Sequence, residues 1–325
     1  MKLITGTALS NLCDYSFGDH LGGLDPEHLP GGFMKEANRG NQEFLDKCKE
    51  FEGKVMTLFI DNIRLYPRDL VVSSETDAQW VTQLMSRNDL LGLCASLQNN
   101  KFIIFTSHED TPIDSQIRMS DNVLAIYATN AIYNNKKIHP FPYGLQRQIE
   151  RGDVPDKRIE IMLEEMDKKV EPTKLLYVNC GLGSERNAQE RAYLPEFSKY
   201  NWATTRFDKD SRHFPYDKYR DFLDEFRDHK YIICPQGHGI DCHRNWEALY
   251  LRRVPVMKKH PYFTRLMRGF PVLFVDDWAE VTKELLESSP LYNEAQRMDL
   301  STLDLDQIYA RIKGKYERGS TPKPA

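Results

Sequence analysis

Residues 231–257 read YIICPQGHGIDCHRNWEALYLRRVPVM, and this segment is typical of a strand, a glycine-containing turn, a helix and a second strand. The apolar runs YII and VPVM enclose a polar turn and a helical pattern over residues 241–252. Two strands that are connected by a helix usually lie parallel in one sheet. The segment therefore predicts an α/β fold in which helices cover parallel sheets.

The same alternation extends along most of the chain. Further apolar runs predict strands at residues 55–61, 101–106, 123–127, 174–178 and 271–275. Helical periodicity predicts helices at residues 78–97, 157–169, 184–198, 216–229, 277–287 and 303–316. The strands fall into two groups, one in each half of the chain.

The length of 325 residues suffices for two domains with separate cores. Between the halves lies IHPFPYGLQRQIERGDVPDKR, whose prolines and glycines interrupt both periodicities. We predict a first domain at residues 1–155 and a second at 156–300. Residues 301–325 are expected to form a helix that crosses back to the first domain, followed by a disordered tail.

The composition, with 40% hydrophobic residues, 28% charged residues and a net charge of -4, predicts a soluble globular protein. It has no basic excess that would favour nucleic acid. No run approaches the roughly 18 apolar residues of a membrane-spanning helix, and the first residues lack the apolar core of a signal peptide. We expect a cytoplasmic protein, in the host cytoplasm if a virus encodes it, with its six cysteines reduced. The sequence does not indicate the oligomeric state.

The turn and helix of residues 234–249 suit a phosphate. Gly237 and Gly239 are expected to adopt positive φ and to let the backbone approach a ligand. Asp241 is expected to cap the helix. The free N–H groups of a helix start attract anions, and Arg244 would add a forked cation. Glu247 follows on nearly the same helix face, where a carboxylate is suited to ribose hydroxyls.

The residues of this segment also allow two other interpretations, a zinc site and a redox pair. Cys234, His238, Cys242 and His243 are zinc-type ligands, but their C-x3-H-x3-C-H spacing matches neither paired C-x2-C nor HExxH. A redox pair would need a C-x-x-C motif, which Cys234 and Cys242 do not form. The phosphate interpretation is therefore preferred, and no metal ligands are assigned.

The segments CPQGHGID, HRNWEAL, VPVM and PVLFVDDW resemble the C-terminal half of exostosin-like glycosyltransferases, including bacterial and large-virus relatives. The resemblance covers residues 174–285. It implies a GT-B fold, in which two Rossmann-like domains face each other, the second holding a nucleotide-diphosphate sugar and the first facing the acceptor. It also implies that neither a metal ion nor another cofactor is required. One departure is Gln236, where many members of the family have arginine.

Carried onto this chain, the resemblance assigns Gly237 and Gly239 to the diphosphate turn, Arg244 to the phosphates and Glu247 to the ribose. The loop NCGLGSERNAQER also follows a strand and opens a helix, so its polar residues join the candidates. The full donor-binding set is Asn179, Arg186, Arg191, Gln236, Gly237, His238, Gly239, Asp241, His243, Arg244 and Glu247.

An inverting transfer also needs a base that takes the proton of the acceptor hydroxyl. The segment TSHEDTP places His108, Glu109 and Asp110 directly after a predicted strand, and SNLCDYSFGDHLGG places Asp19 among glycines. Asp19 is preferred narrowly, because flanking glycines suit an exposed functional loop. All four residues are candidate catalytic residues.

The sequence thus predicts a hexosyl- or pentosyltransferase that moves a sugar from a nucleotide-diphosphate donor to a hydroxyl of a glycan or glycoconjugate, with inversion implied by the resemblance. Two alternatives stay open. One is a sugar-nucleotide epimerase or hydrolase with the same domains, and the other is a non-catalytic protein that binds glycans or nucleotides. The nucleobase, the sugar, the acceptor and the linkage are not indicated.

Overall fold

A computed structural model describes residues 1–16, 43–61, 90–107, 113, 117, 119–132, 135–145, 157–182, 187–207, 216–237 and 239–318. The chain divides into two compact units. The first unit comprises Met1–Pro142 and Asp304–Ala325, and the second comprises Tyr143–Leu303. Each unit contains one five-stranded parallel sheet flanked by helices, which is the predicted α/β class.

The boundary between the units precedes Tyr143, whereas the sequence predicted it after residue 155. The reason lies in two hydrogen bonds that attach this segment to the second unit. The Tyr143 amide donates to the Asp241 carboxylate at 2.9 Å, and the Gly144 carbonyl lies 2.8 Å from His243 Nδ1. The pattern of prolines and glycines in the sequence does not reveal such long-range contacts.

The first sheet has its strands in sequential order, β1-β2-β3-β4-β5, and all neighbours are parallel. Its strands are β1 (Tyr15–Ser16), β2 (Val55–Asp61), β3 (Lys101–Ser107), β4 (Val123–Ala128) and β5 (Ile138–Pro140). Its helices are α1 (Gly6–Ser10), α2 (Leu90–Ser96) and, from the C-terminal segment, α10 (Leu305–Arg318). Residues 43–50 are also helical.

Helix α10 belongs to the first unit because polar side chains attach it beside β2. Tyr309 Oη lies 2.7 Å from Thr57 Oγ1, and Lys313 Nζ lies 3.1 Å from the Asp14 carboxylate. The Asp14 carboxylate also accepts hydrogen bonds from the amide and the hydroxyl of Thr57, both at 2.8 Å. Asp14 therefore joins β1, β2 and the C-terminal helix.

The second sheet has the order β10-β9-β8-β6-β7, again with parallel neighbours. Its strands are β6 (Lys174–Asn179), β7 (Ala203–Arg206), β8 (His229–Ile233), β9 (Val254–Lys258) and β10 (Leu273–Val275). Its α-helices are α3 (Arg158–Met166), α4 (Ala188–Arg191), α5 (Tyr216–Arg227), α6 (His243–Tyr250), α7 (Pro261–Leu266), α8 (Lys283–Ser288) and α9 (Leu291–Arg297). Three 3-10 helices cover Leu194–Lys199, Trp278–Glu280 and Leu300–Leu303.

The core of the second unit explains why its strands are nearly continuous apolar runs. A parallel sheet covered by helices buries both faces, so successive side chains all leave water. Leu176, Tyr231, Ile233 and Val256 are almost fully buried in one cluster that also includes Trp278. Burial of each large side chain contributes about 1.5–3 kcal/mol, which makes the sheet a firm support for the loops at its edge.

Three strands were not predicted: β1, β5 and β7. They are short or lie at sheet edges, and β5 ends at a proline, which edge positions tolerate. The predicted helix at 184–198 is also wrong in extent. The described part consists of α4 and the 3-10 helix Leu194–Lys199, with Pro195 near the start of the latter.

Among the helices that the structure describes, none combines the length and apolar character needed to cross a membrane.

Candidate functional site

The candidate site lies where the second sheet changes the direction of its connections. Strands β6 and β8 are neighbours, but the chain leaves β6 toward β7 on one side and leaves β8 toward β9 on the other. Parallel sheets open a crevice at the carboxyl ends of such strand pairs, and ligands bind there. The loops at this point begin at Cys180 and Cys234, and they are the two loops from which the sequence predicted donor binding.

Arg191 connects these two loops. Its Nη1 donates to the Gly181 carbonyl at 2.6 Å, and its Nε and Nη2 donate to the Gln236 carbonyl at 3.2 and 2.7 Å. The guanidinium thus fixes the spacing of the loop after β6 and the loop after β8. Contact of Arg191 or Gln236 with a ligand stays a prediction.

The helix after the glycine turn begins differently from the prediction. Cys242, not Asp241, is the N-cap of α6, with φ -143° and ψ 159°, and its side chain makes no capping bond. The Asp241 carboxylate turns into the protein instead, where Oδ1 accepts from the Cys242 amide at 2.9 Å and from Asn245 Nδ2 at 2.7 Å. The expected capping role of Asp241 is therefore wrong, because its side chain satisfies interior donors.

Asp241 organises the start of α6 from the inside. It is 2% exposed, and the Trp246 indole donates to both carboxylate oxygens at 3.1 Å. The Tyr143 amide donates to Oδ2 at 2.9 Å. Burial raises the pKa of Asp241 to about 6, although the hydrogen bonds from Tyr143, Asn245 and Trp246 oppose the shift. Asp241 thus acts as a structural carboxylate in the described site.

Arg244 is the cation of the site. Its Nε is buried and has no hydrogen-bond partner among the described residues. Its titratable neighbours are the thiols of Cys242, Cys180 and Cys234 and the carboxyl of Glu247. Burial raises the pKa of all three thiols, so Glu247 is the counter-ion among these neighbours. A buried donor without an acceptor costs about 1–3 kcal/mol, so such groups are uncommon in native proteins.

Glu247 lies on α6 one turn after Arg244. It is 8% exposed, and its Oε1 accepts a hydrogen bond from the Tyr219 hydroxyl at 3.0 Å. Burial raises the pKa of its carboxyl, and the nearby charge of Arg244 opposes this shift. Contact of Glu247 with a ribose, implied by the family resemblance, stays a prediction.

The first glycine of the turn does not have the conformation that was expected. Gly237 does not have positive φ, so that expectation is wrong for Gly237, and for Gly239, which follows a residue outside the described ranges, it stays a prediction. The Gly237 amide donates to the Gly239 carbonyl at 3.0 Å and closes the turn. A Cβ on Gly237 would lie 3.8 Å from that carbonyl oxygen, which is an ordinary contact. The protein backbone therefore does not itself require glycine at 237.

Two further candidates are held by protein groups. Asn179, at the end of β6, donates through Nδ2 to the Tyr177 hydroxyl at 2.7 Å. His243 is 2.8 Å from the Gly144 carbonyl through Nδ1, and its ring centroid lies 4.6 Å from that of Tyr143. Both contacts fix the walls of the site, and direct ligand binding by these residues is untested.

The zinc interpretation is not tested, because His238, one of its four ligands, lies outside the described residues. No group of three or more metal-ligating side chains occurs among the described residues. Burial raises the pKa of the Cys242 thiol to about 11. The Cys242 Sγ lies 3.2 Å from Asn245 Oδ1 as a weak donor.

Several predicted site residues lie outside the described residues, namely Asp19, His108, Glu109, Asp110, Arg186 and His238.

Sequence reasoning missed Glu190 and Lys258. Lys258, the last residue of β9, places its Nζ 3.4 Å from Glu190 Oε2 and 3.6 Å from Asp277 Oδ2. Glu190 Oε1 is buried and has no hydrogen-bond partner among the described residues. Glu190 and Lys258 lie far apart in the chain, and no local pattern signals their pairing. Asp277 caps the following 3-10 helix, through the Ala279 amide at 3.0 Å.

Comparison of the chain with protein-family models finds no match, and comparison with curated proteins finds no significant one. The candidate site combines a guanidinium with a buried Nε, the start of α6 and a turn at the carboxyl edge of a parallel sheet. Such an arrangement is suited to an anionic ligand, above all a phosphate or diphosphate.

Proposed function

We propose that this protein is a glycosyltransferase of the GT-B type that transfers a sugar from a nucleotide-diphosphate donor to a hydroxyl of a glycan acceptor. The observation that carries the proposal is the Arg244 guanidinium, whose buried Nε lacks a partner among the described residues at the carboxyl edge of the second sheet. Two units with Rossmann-like parallel sheets are the number and kind of domain that such an enzyme needs.

A diphosphate supplies what Arg244 lacks. Its oxygens are strong acceptors, and a guanidinium binds them through two parallel hydrogen bonds. A helix start offers amides without intrahelical acceptors, although in α6 the Asn245 amide bonds the Cys242 carbonyl at 3.2 Å, and the helix dipole adds partial positive charge at the same point. Glu247 balances part of the charge of Arg244, and an anionic ligand would add the acceptor that Nε lacks among the described residues.

In the proposed reaction, negative charge develops on the diphosphate as it leaves the sugar. The acceptor hydroxyl attacks the anomeric carbon, a base takes its proton, and the bond from that carbon to the diphosphate breaks with its electron pair passing to the phosphate oxygen. Arg244 and the α6 amides stabilise the departing diphosphate. In the proposal these groups perform the role that a metal ion has in other transferases, so no metal or other cofactor is needed.

The base remains a prediction from the sequence. Asp19, His108, Glu109 and Asp110 are the candidates, and single substitutions to asparagine or glutamine are expected to lower turnover with little change in donor affinity. Asp14, near Asp19 in sequence, is an unsuitable base because Thr57 and Lys313 occupy its carboxylate.

The donor site is tested by calorimetric titration of uridine and guanosine diphosphates and inorganic pyrophosphate into the wild type and Arg244→Met. We expect the wild type to bind one of these nucleotides and the variant to bind it about 10²-fold more weakly, since a charge-assisted bidentate contact is lost. Arg297→Met is the matched control, because Arg297 is exposed on α9 and bonds only the Asn293 carbonyl among its described contacts. Equal affinity in all three proteins would contradict the proposed site.

The transfer itself is tested by mixing uridine and guanosine sugar nucleotides with oligosaccharide acceptors and measuring release of the nucleoside diphosphate. Acceptor-dependent release supports the proposal. Release or epimerisation without acceptor would instead show the hydrolase or epimerase alternative. Tight binding without any turnover across the acceptor panel would show a nucleotide-binding protein.

A further inference from the structure

Glu190 is a fixed residue at the edge of the second sheet. It lies in α4, directly before Arg191, and its carbonyl accepts a hydrogen bond from the Trp278 indole at 2.8 Å. Trp278 is fully buried in the core of the unit. The backbone of Glu190 is thus anchored to the core from one side and, through Arg191, to both crevice loops from the other.

The two oxygens of the Glu190 carboxylate have different surroundings. Oε2 lies 3.4 Å from Lys258 Nζ, whereas Oε1 is buried and has no partner among the described residues. An ionised carboxylate accepts several hydrogen bonds and donates none. Burial raises the pKa of Glu190, and the charge of Lys258 opposes this shift. In the ionised form, which pairs with Lys258, Oε1 is an acceptor that no described residue uses.

Glu190 is next in sequence to Arg191, which contacts the two loops of the candidate phosphate site. Arg191, its neighbour, bonds the carbonyls of Gly181 and Gln236, which belong to the loops after β6 and β8. Lys258 ends β9, the strand that pairs with β8. Two polar atoms of this unit, Arg244 Nε and Glu190 Oε1, are buried without a hydrogen-bond partner among the described residues. A ligand that reached both would carry an anionic group and hydroxyl or N–H donors.

We propose that Glu190 Oε1 accepts a hydrogen bond from a sugar hydroxyl of the bound sugar nucleotide, either on the ribose or on the transferred sugar. The inference rests on the proposed function, since it names the part of the donor that this residue recognises. Lys258 positions the carboxylate through Oε2 and balances its charge beside the diphosphate. Sugar hydroxyls suit the contact because each donates one hydrogen bond, and a site built to receive them rejects analogues that lack them.

The test compares Glu190→Ala and Glu190→Gln with the wild type in calorimetric titrations of pyrophosphate, the nucleoside diphosphate that binds, and its sugar nucleotide. Loss of a hydrogen bond to a carboxylate is expected to weaken binding about tenfold or more. A loss already seen with the nucleoside diphosphate locates the hydroxyl on the ribose, and a loss seen only with the sugar nucleotide locates it on the transferred sugar. Affinity for pyrophosphate, which has no hydroxyl donors of this kind, should not change.

Asp277→Asn is the matched control. Asp277 contacts the same lysine at 3.6 Å, and an asparagine there still caps Trp278–Glu280. Its affinities should equal those of the wild type.

Unchanged affinity of both Glu190 variants for the nucleotide and the sugar nucleotide would overturn the inference. So would an equal loss for pyrophosphate, because it would show that Glu190 acts only by placing Arg191 and the loops. If the wild type binds none of the three ligands, the proposed function itself fails, and that result is distinct from either outcome for Glu190.

Discussion

The two sheets are of the same kind but differ in strand order, and the order decides where a ligand site forms. The described strands of the first sheet follow one another in sequence, so each connection moves in the same direction. In the second sheet β6 lies beside β8 with β7 on its outer side, which creates a point where the connections diverge. Arg244 Nε and Glu190 Oε1, which lack partners among the described residues, belong to the second unit.

The carboxylates of Asp14 and Glu190 differ in the number of protein groups that contact them. Asp14, in the first unit, has both oxygens near Lys313 at 3.1 Å and also accepts from the Thr57 amide and hydroxyl. Glu190, in the second unit, shares one oxygen with Lys258 and leaves the other without a described partner. A carboxylate whose oxygens all have protein partners stabilises the fold, whereas an oxygen without a protein partner can still accept a hydrogen bond from a ligand. Substitution of Asp14 should therefore lower stability, and substitution of Glu190 should lower ligand affinity.

The largest effect on stability is expected from Asp241→Asn. Asparagine keeps one carbonyl oxygen but turns an NH2 group toward donors such as the Tyr143 amide and the Trp246 indole. Because this network is buried, the free energy of unfolding of the second unit should fall by about 3 kcal/mol. Urea denaturation followed by tryptophan fluorescence measures it, since Trp202, Trp246 and Trp278, three of the four tryptophans, lie in this unit.

The same substitution has a defined pH dependence. The pKa of Asp241 in the folded state, about 6, exceeds the ordinary value of 3.8, so the folded state binds the proton more tightly than the unfolded state. The contribution of Asp241 to stability then falls as pH rises from about 4 to about 6. The stability difference between wild type and Asp241→Asn should thus be larger at pH 4 than at pH 7. A difference that grows with pH would contradict the assigned environment.

A smaller effect is expected from Asp14→Asn. The change removes the ion pair with Lys313 and one acceptor for Thr57, so the first unit should lose about 1–2 kcal/mol. Hydrogen exchange of peptides from β2 and α10 measures this loss locally. Glu190→Gln is the contrasting variant, and its stability should equal or exceed that of the wild type. If both variants lose the same stability, the distinction between the two carboxylates is wrong.

The smallest effect on stability is expected from Gly237→Ala. The backbone there does not have positive φ, and the added methyl would make ordinary contacts, so thermal stability should be unchanged or raised by about 0.5 kcal/mol. If the turn approaches a diphosphate, the methyl group should still weaken nucleotide binding in calorimetric titration. A stability loss above about 2 kcal/mol would instead show that the turn itself needs glycine.

Much of the fold could be predicted because parallel strands buried on both faces leave a strong local signal. The apolar run at 55–61 matches Val55–Asp61, and 254–257 matches all but one residue of Val254–Lys258. The edge strands were missed because β1, β5 and β7 are short and their pairing depends on neighbours distant in the chain. The boundary near Tyr143 was misplaced for the same reason, since Asp241 and His243 hold it.

In the site, the residues near one another in sequence were found and the long-range pairs were not. Arg244 follows a glycine turn at a helix start, which is a local pattern that indicates an anion site. The inward turn of Asp241 depends on Trp246, Tyr143 and Tyr262, which no local pattern connects.

By itself the sequence determined the α/β class, the positions of the main strands and the presence of a cation beside a glycine turn, because periodicity and local spacing encode these features. Only the tertiary structure decided that β6 lies beside β8, that Arg191 joins the two loops and that Glu190 meets Lys258 with one oxygen left unbonded among the described residues. The physical reason is that a hydrogen bond or ion pair depends on distance in space. Strand order brings distant residues together, and no local pattern specifies that order.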